Sequence, residues 1–162
     1  MKLLTKILIS CGLSAPALII AMFSTLTFSN AANASAFGCQ YIGGFGFTFK
    51  GLSLTAPKGF LCHDIKGSKK YIDREIGTYS AAPSLYGYLT GKVCNWRIDF
   101  VYTNAANGST YLRDRGPTNN SCSYLPIRTQ YTDKNLKYYG KACAQLYVNG
   151  VYRSSQCHNI TG

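Results

Sequence analysis

The chain has 162 residues, of which 46% are hydrophobic and 14% charged, with seventeen Lys and Arg against six Asp and Glu. That composition excludes a disordered chain, which carries fewer apolar and more charged residues. A single Glu, Glu75, beside thirteen Tyr, sixteen Gly and seven Cys is not the make-up of a helical cytosolic enzyme; it suits short strands and turns.

The first element in chain order is an export leader. Lys2 and Lys6 form a basic start, and Ile7 to Phe28 carries no charge. Ala34-Ser35-Ala36 then offers a small-x-small cleavage site, with cutting expected after Ala36 and, as second choice, after Ala34. Residues 1–36 therefore read as a signal peptide and 37–162 as one secreted domain. The alternative is an uncleaved, membrane-tethering anchor, because the uncharged stretch is long enough to span a bilayer; Ser10, Ser14 and Pro16 argue against it. Leu8 to Cys11 follows Lys6 too closely to be a lipoprotein box. Export implies an oxidising compartment.

Beyond the leader stand Cys39, Cys62, Cys94, Cys122, Cys143 and Cys157. An even count in a short exported domain reads as three disulfides. Zinc is the competing reading, but no Cys-x-x-Cys occurs, and His63 and His158 each directly follow a cysteine; no metal or cofactor is expected. The cysteines bound three segments of similar grammar: cysteine, strand, glycine-bearing stretch, strand, cysteine. Two of them end alike, Cys62-His63-Asp64-Ile65-Lys66-Gly67 and Cys157-His158-Asn159-Ile160-Thr161-Gly162. A decayed repeat of this kind favours sequential pairing, 39–62, 94–122 and 143–157.

Phe45, Phe47 and Phe49 alternate with Gly46 and Thr48 as in a strand. Further strands are expected at about 60–65, 84–89, 109–115 and 121–128. Ile72, Ile76 and Tyr79 have helical spacing, which makes 69–79 the candidate for the one short helix. Trp96, Ile98, Phe100 and Tyr102 share one face of the clearest strand and should be core; Arg97 and Asp99 share the other and should be exposed together. Val148-Asn149-Gly150-Val151 is a strong hairpin signal. A two-residue loop there would put Cys143 and Cys157 on opposite faces, so their bond needs a bulged turn or a later irregularity. Short strands with glycine-rich turns predict an all-β fold, a small antiparallel sandwich or barrel stapled by three disulfides.

After leader removal fifteen Lys and Arg face six Asp and Glu, a net charge of +9. Lys66, Lys69, Lys70 and Arg74 cluster, as do Arg113 and Arg115, followed by Arg128, Lys134, Lys137 and Lys141, with tyrosines interleaved. Such a surface can hold an anionic polymer or glycan at a cell surface. The expected contact residues are Lys69, Lys70, Tyr71, Arg97, Asp99, Arg113 and Arg115. The leading expectation is a non-catalytic binder: an adhesin, a toxin-like binding subunit or an antimicrobial. The alternative is a small secreted hydrolase of ribonuclease type, in which His63 and His158 would serve as acid and base, with Glu75 able to replace one of them. A third is an inhibitor of a secreted enzyme, presenting Arg113 to Pro117. No phosphate loop, dinucleotide fingerprint or calcium loop is present.

Overall fold

The computed structural model describes residues 35–82 and 91–162. The leader up to Ala34 and the strand expected at 84–89 lie outside the described residues. Eleven strands follow one another, and no helix occurs among the described residues. They are β1 (Ala36–Ile42), β2 (Phe45–Phe49), β3 (Leu52–Ala56), β4 (Gly59–Ser68), β5 (Tyr71–Ala81) and β6 (Val93–Thr103). Then come β7 (Thr110–Asp114), β8 (Asn119–Ser123), β9 (Ile127–Asn135), β10 (Gly140–Val148) and β11 (Val151–Ile160). One antiparallel sheet has the order β1-β4-β5-β9, and the other β11-β10-β6-β7, with β8 also paired to β6. β1 lies over β11 and β4 over β10, which makes the expected sandwich. β2 and β3 form a separate hairpin.

The alternating face of β6 is core as expected: Trp96, Ile98, Phe100 and Tyr102 are all buried. Ala142, Ala144, Leu146 and Val148 of β10 stand beside them, opposed by Leu61, Ile65, Ile72 and Tyr79 of the other sheet. Burying each large apolar side chain contributes roughly 1.5–3 kcal/mol.

Two expectations of the sequence are overturned. The helix at 69–79 is strand β5. Asp73 is skipped in the ladder, so Ile72, Glu75, Gly77 and Tyr79 share the buried face, while Ile76, which completed the helical spacing, lies on the opposite face. The single strand at 121–128 is two, β8 and β9, separated at the buried Pro126, whose carbonyl accepts the Tyr79 N–H.

Each disulfide joins residues directly opposite one another on paired strands: Cys39–Cys62, Cys94–Cys122 and Cys143–Cys157. That is the sequential pairing. The β10–β11 turn has two residues, Asn149 and Gly150, both at positive φ (53° and 75°). Arg153 is then skipped in the ladder beyond Leu146/Tyr147, the later irregularity that returns Cys143 and Cys157 to one face. All three bonds tie an outer strand to its neighbour within a sheet, and none crosses between the sheets.

The sheets approach closely at one row. Gly38, His63 and Gly77 lie side by side on β1, β4 and β5. A Cβ on Gly77 would sit 2.7 Å from Ile98 Cγ2, and one on Gly38 would sit 2.8 Å from Gln156 Nε2. The two glycines leave the space between sheets to the His63 ring. Gly77→Ala should therefore cost about 1–3 kcal/mol in urea unfolding, the usual penalty of overpacking. Gly46→Ala, with nothing within 4 Å of its added Cβ, should stay within about 0.5 kcal/mol. Equal effects of the two would contradict the close approach.

Candidate functional site

β4 turns His63 inward between Leu61 and Ile65, and β5 turns Glu75 inward beside it; neither has any exposed surface. His63 Nε2 lies 3.4 Å from Glu75 Oε1. The Tyr102 hydroxyl donates a short hydrogen bond to the other carboxylate oxygen. The His63 ring stacks on Phe100 with centroids 5.6 Å apart and lies 5.2 Å from the His158 ring. His158 Nε2 donates to the His63 carbonyl at 2.9 Å. The three candidates of the hydrolase reading are thus brought together.

The polar chain continues through residues the sequence reading did not place. Lys134 Nζ donates to the Tyr102 hydroxyl at 3.3 Å and to Asp114 Oδ2 at 3.1 Å. Arg128 and Gln130 close on the same Asp114 at 2.8 and 2.6 Å. Arg128 also lies over the Phe100 ring, 4.5 Å from its centroid, and donates to the carbonyls of Ile98 and Asp114. β9 supplies this set because it alternates: Arg128, Gln130, Thr132 and Lys134 are half-buried, while Ile127, Thr129, Tyr131 and Asp133 are exposed. Expected on the surface, Arg128 and Lys134 instead face Asp114.

Among the described residues, both His63 ring nitrogens and Glu75 Oε1 are buried without a hydrogen-bond partner, so the chain is satisfied at its Asp114 end and not at its histidine end. Burial alone would raise the Asp114 pKa, but hydrogen bonds from Gln130, Arg128 and Lys134 outweigh it and hold the carboxyl below its ordinary range. Burial, reinforced by Glu75, pushes the Tyr102 hydroxyl far above its ordinary value, so it remains a donor. Burial also lowers the His158 pKa, and the imidazole stays neutral more readily. A cavity of about 290 Å³ between β6 and β9 is lined by Trp96, Ile98, Ile127, Arg128 and Gln130 among others. It is not lined by His63, Glu75 or His158, and its Arg128 and Gln130 are committed to Asp114.

On the outer face of the second sheet, Arg97 and Asp99 are buried, at 9% and 1% exposure, not exposed as expected. Their bond is bidentate, at 2.7 and 3.2 Å. Two features cover them. The Arg97 guanidinium lies 4.4 Å from the centroid of the Tyr147 ring on the adjacent strand. The segment after β7 folds back over β6, so that the Gly116 N–H donates to Asp99 at 3.1 Å. That approach requires glycine, since a Cβ there would overlap the Ile98 carbonyl oxygen. Arg113 joins the cluster by donating to Gln145 at 2.9 Å and to Tyr147 at 3.0 Å. Removing one partner of a buried pair of this kind costs about 3–5 kcal/mol, so Arg97 is structural.

The remaining expected contacts lie elsewhere. Lys69, Lys70 and Tyr71 occupy the β4–β5 turn, with Lys69 at φ 52°. Lys70 lies 5.4 Å from the Tyr139 ring centroid, and Lys137 5.0 Å from that of Tyr138. Tyr71 donates to Asp133 at 2.7 Å, which raises the tyrosine pKa. These residues make a cationic, aromatic end to the first sheet. Arg115 is exposed and has no carboxylate partner among the described residues. The seven expected contacts therefore divide into a cluster of buried Arg97 and Asp99 with exposed Arg113, a separate turn and a lone arginine.

Among the described residues no group of three or more His, Cys, Asp or Glu is gathered as metal ligands would be. No family model matches the chain, and no curated protein or solved structure shows significant similarity to it.

Acid should weaken the fold in two stages. The His158 pKa is lowered below its ordinary 6.5, so its contribution is full above that value and is lost as pH falls through the lower folded value. Asp114, held below its ordinary 3.8, contributes stability that is full above 3.8 and is lost as pH falls beneath it. Urea midpoints of the parent should fall in both windows, and His158→Gln should remove the first decline alone. A parent midpoint that stays flat across the histidine range would contradict the assignment.

Proposed function

We propose that the protein is an exported, non-catalytic domain that attaches by charge to an anionic polymer or glycan of a cell surface, as an adhesin, a toxin-like binding subunit or an antimicrobial does. The observation that carries this reading is how the charges are spent. Asp64 pairs with Arg74, Glu75 with His63, Asp99 with Arg97 and Arg113, and Asp114 with Arg128 and Lys134. Asp133 accepts the Tyr71 hydroxyl. Among the described residues, Lys66, Lys69, Lys137, Lys141 and Arg115 are exposed with no carboxylate partner. Half of the carboxylates, Glu75, Asp99 and Asp114, are committed to buried or half-buried partners, and the positive excess faces solvent.

Three disulfides belong to an oxidising compartment, and among the described residues no helix is long and apolar enough to cross a membrane. Leader removal after Ala34 suits the fold better than removal after Ala36. Ala36 is the first residue of β1, and the Ser35 hydroxyl both donates to the Gly67 carbonyl and accepts from its N–H.

The hydrolase reading gains from the meeting of His63, Glu75 and His158. It loses more from the burial of the first two, because an RNA phosphate has no path to a ring with no exposed surface. The inhibitor reading needs Arg113 to Pro117 as a free loop, yet Arg113 and Gly116 are bound to the β6 and β10 cluster.

Heparin–agarose tests the proposal. The protein should be retained at low salt and released as salt rises, and Lys69→Glu with Lys70→Glu should elute distinctly earlier at an unchanged unfolding midpoint. Absence of retention at low salt, or elution that charge reversal leaves unmoved, would sink it.

A further inference from the structure

We infer that the β2–β3 hairpin is a lipid-docking element, which seats its apolar tip in the surface of an anionic bilayer. The inference draws its electrostatic part from the cationic surface proposed above but rests on a different region of the molecule.

The register makes the hairpin strictly two-faced. Phe45 opposes Ala56, Phe47 opposes Leu54, and Phe49 opposes Leu52, so these six side chains share one face. Gly46, Thr48, Ser53 and Thr55 share the other. At its base the apolar face closes the core, with Phe47 and Ala56 buried. Towards the tip it runs on past the core: Leu52 is 66% exposed and Leu54 36%. The tip itself is a tight turn in which Lys50 and Gly51 both have positive φ, and Lys50 Nζ stands 5.5 Å from the Phe49 ring centroid. The hairpin is held in this pose. Asn149 donates a hydrogen bond to the Thr48 carbonyl, and Arg153 lies over Phe45 while donating to the Gly46 carbonyl.

Charge selects the occupant. All six carboxylates of the chain lie at positions 64, 73, 75, 99, 114 and 133. None occurs before position 64, so the hairpin and its flanking residues carry no carboxylate. Lys50 stands at the tip, Lys58 follows β3, and Arg153 is bound to β2. Exposed leucines on a hairpin that carries cations and no anion match the interface of an anionic membrane, where apolar insertion and headgroup attraction act together. With five residues each, β2 and β3 are too short to span a bilayer, so the hairpin seats in one leaflet.

The test is flotation of the secreted protein, its mass first checked for loss of the leader, with vesicles of phosphatidylcholine alone or mixed with phosphatidylglycerol. The parent should float with the mixed vesicles and much less with phosphatidylcholine alone. Leu52→Ser with Leu54→Ser should weaken that association about tenfold or more, since each leucine transfers apolar surface from water into the lipid. Their exposure means the unfolding midpoint should hold, and heparin retention should be unchanged. Equal flotation of parent and variant overturns the inference, as does a parent retained on heparin that floats with neither vesicle. A parent that floats with mixed vesicles but is not retained on heparin supports the hairpin and removes the broader polymer reading. An oligomer in solution that the leucine substitutions dissolve would assign the tip to a second copy of the chain and overturn the lipid assignment.

Discussion

Within the apolar core between the two sheets runs a buried and half-buried chain of charged and polar groups, and no disulfide joins the sheets among the described residues. His63, Glu75, Tyr102, Lys134, Asp114 and Arg128 pass from the first sheet to the second and back. The disulfides cannot substitute for it, because each lies within one sheet. Burying such groups costs several kcal/mol per ion unless their partners are present, so removing any one member would weaken the packing of the sheets. The glycines at 38 and 77 follow from this chain, since the His63 ring needs the room that side chains there would fill.

The same constraint shapes the surface. A chain with six carboxylates that commits Glu75, Asp99 and Asp114 to buried or half-buried partners has few left to balance its lysines. The exterior becomes cationic as a consequence of how the interior is built, and two regions of it differ in kind. At the β4–β5 turn, lysines are mixed with tyrosines, and Asp73 and Asp133 lie nearby. The β2–β3 hairpin carries exposed leucines with Lys50 at its tip, Lys58 after it and Arg153 bound to β2, and no carboxylate lies in its sequence. The first suits contact with a flexible polyanion; the second suits a surface with an apolar layer beneath its charge.

Much of the scaffold was legible in the residues. The buried face of β6 followed from strict alternation, and the β10–β11 turn from Asn149-Gly150, including the need for an irregularity to align Cys143 with Cys157. What escaped were the positions where tertiary context reverses a local rule. Alternation assigned Arg97 and Asp99 to solvent, but it has no knowledge of a loop folding back or of Tyr147 on the neighbouring strand. β5 read as a helix because the i, i+4, i+7 spacing of Ile72, Ile76 and Tyr79 ignores that Ile76 lies on the opposite face of a strand with one skipped residue. The alternation of Arg128, Gln130, Thr132 and Lys134 was present in the sequence, yet composition points such a face outward. Only the position of Asp114 on a different strand turns it in. The approach of His63, Glu75 and His158 depends on pairing between strands and on sheet stacking, for which the chain carries no local signal.

The central claim is that Glu75, Asp99 and Asp114 are spent on buried or half-buried partners, while most lysines face solvent unpaired. Labelling of the native protein with a water-soluble carbodiimide and amine, mapped by peptide mass spectrometry, tests it residue by residue. Exposed Asp73 should react promptly, whereas Glu75 and Asp99, with 0% and 1% exposure, should stay unlabelled until the protein is unfolded. Rapid labelling of Glu75 or Asp99 in the folded protein would contradict the account.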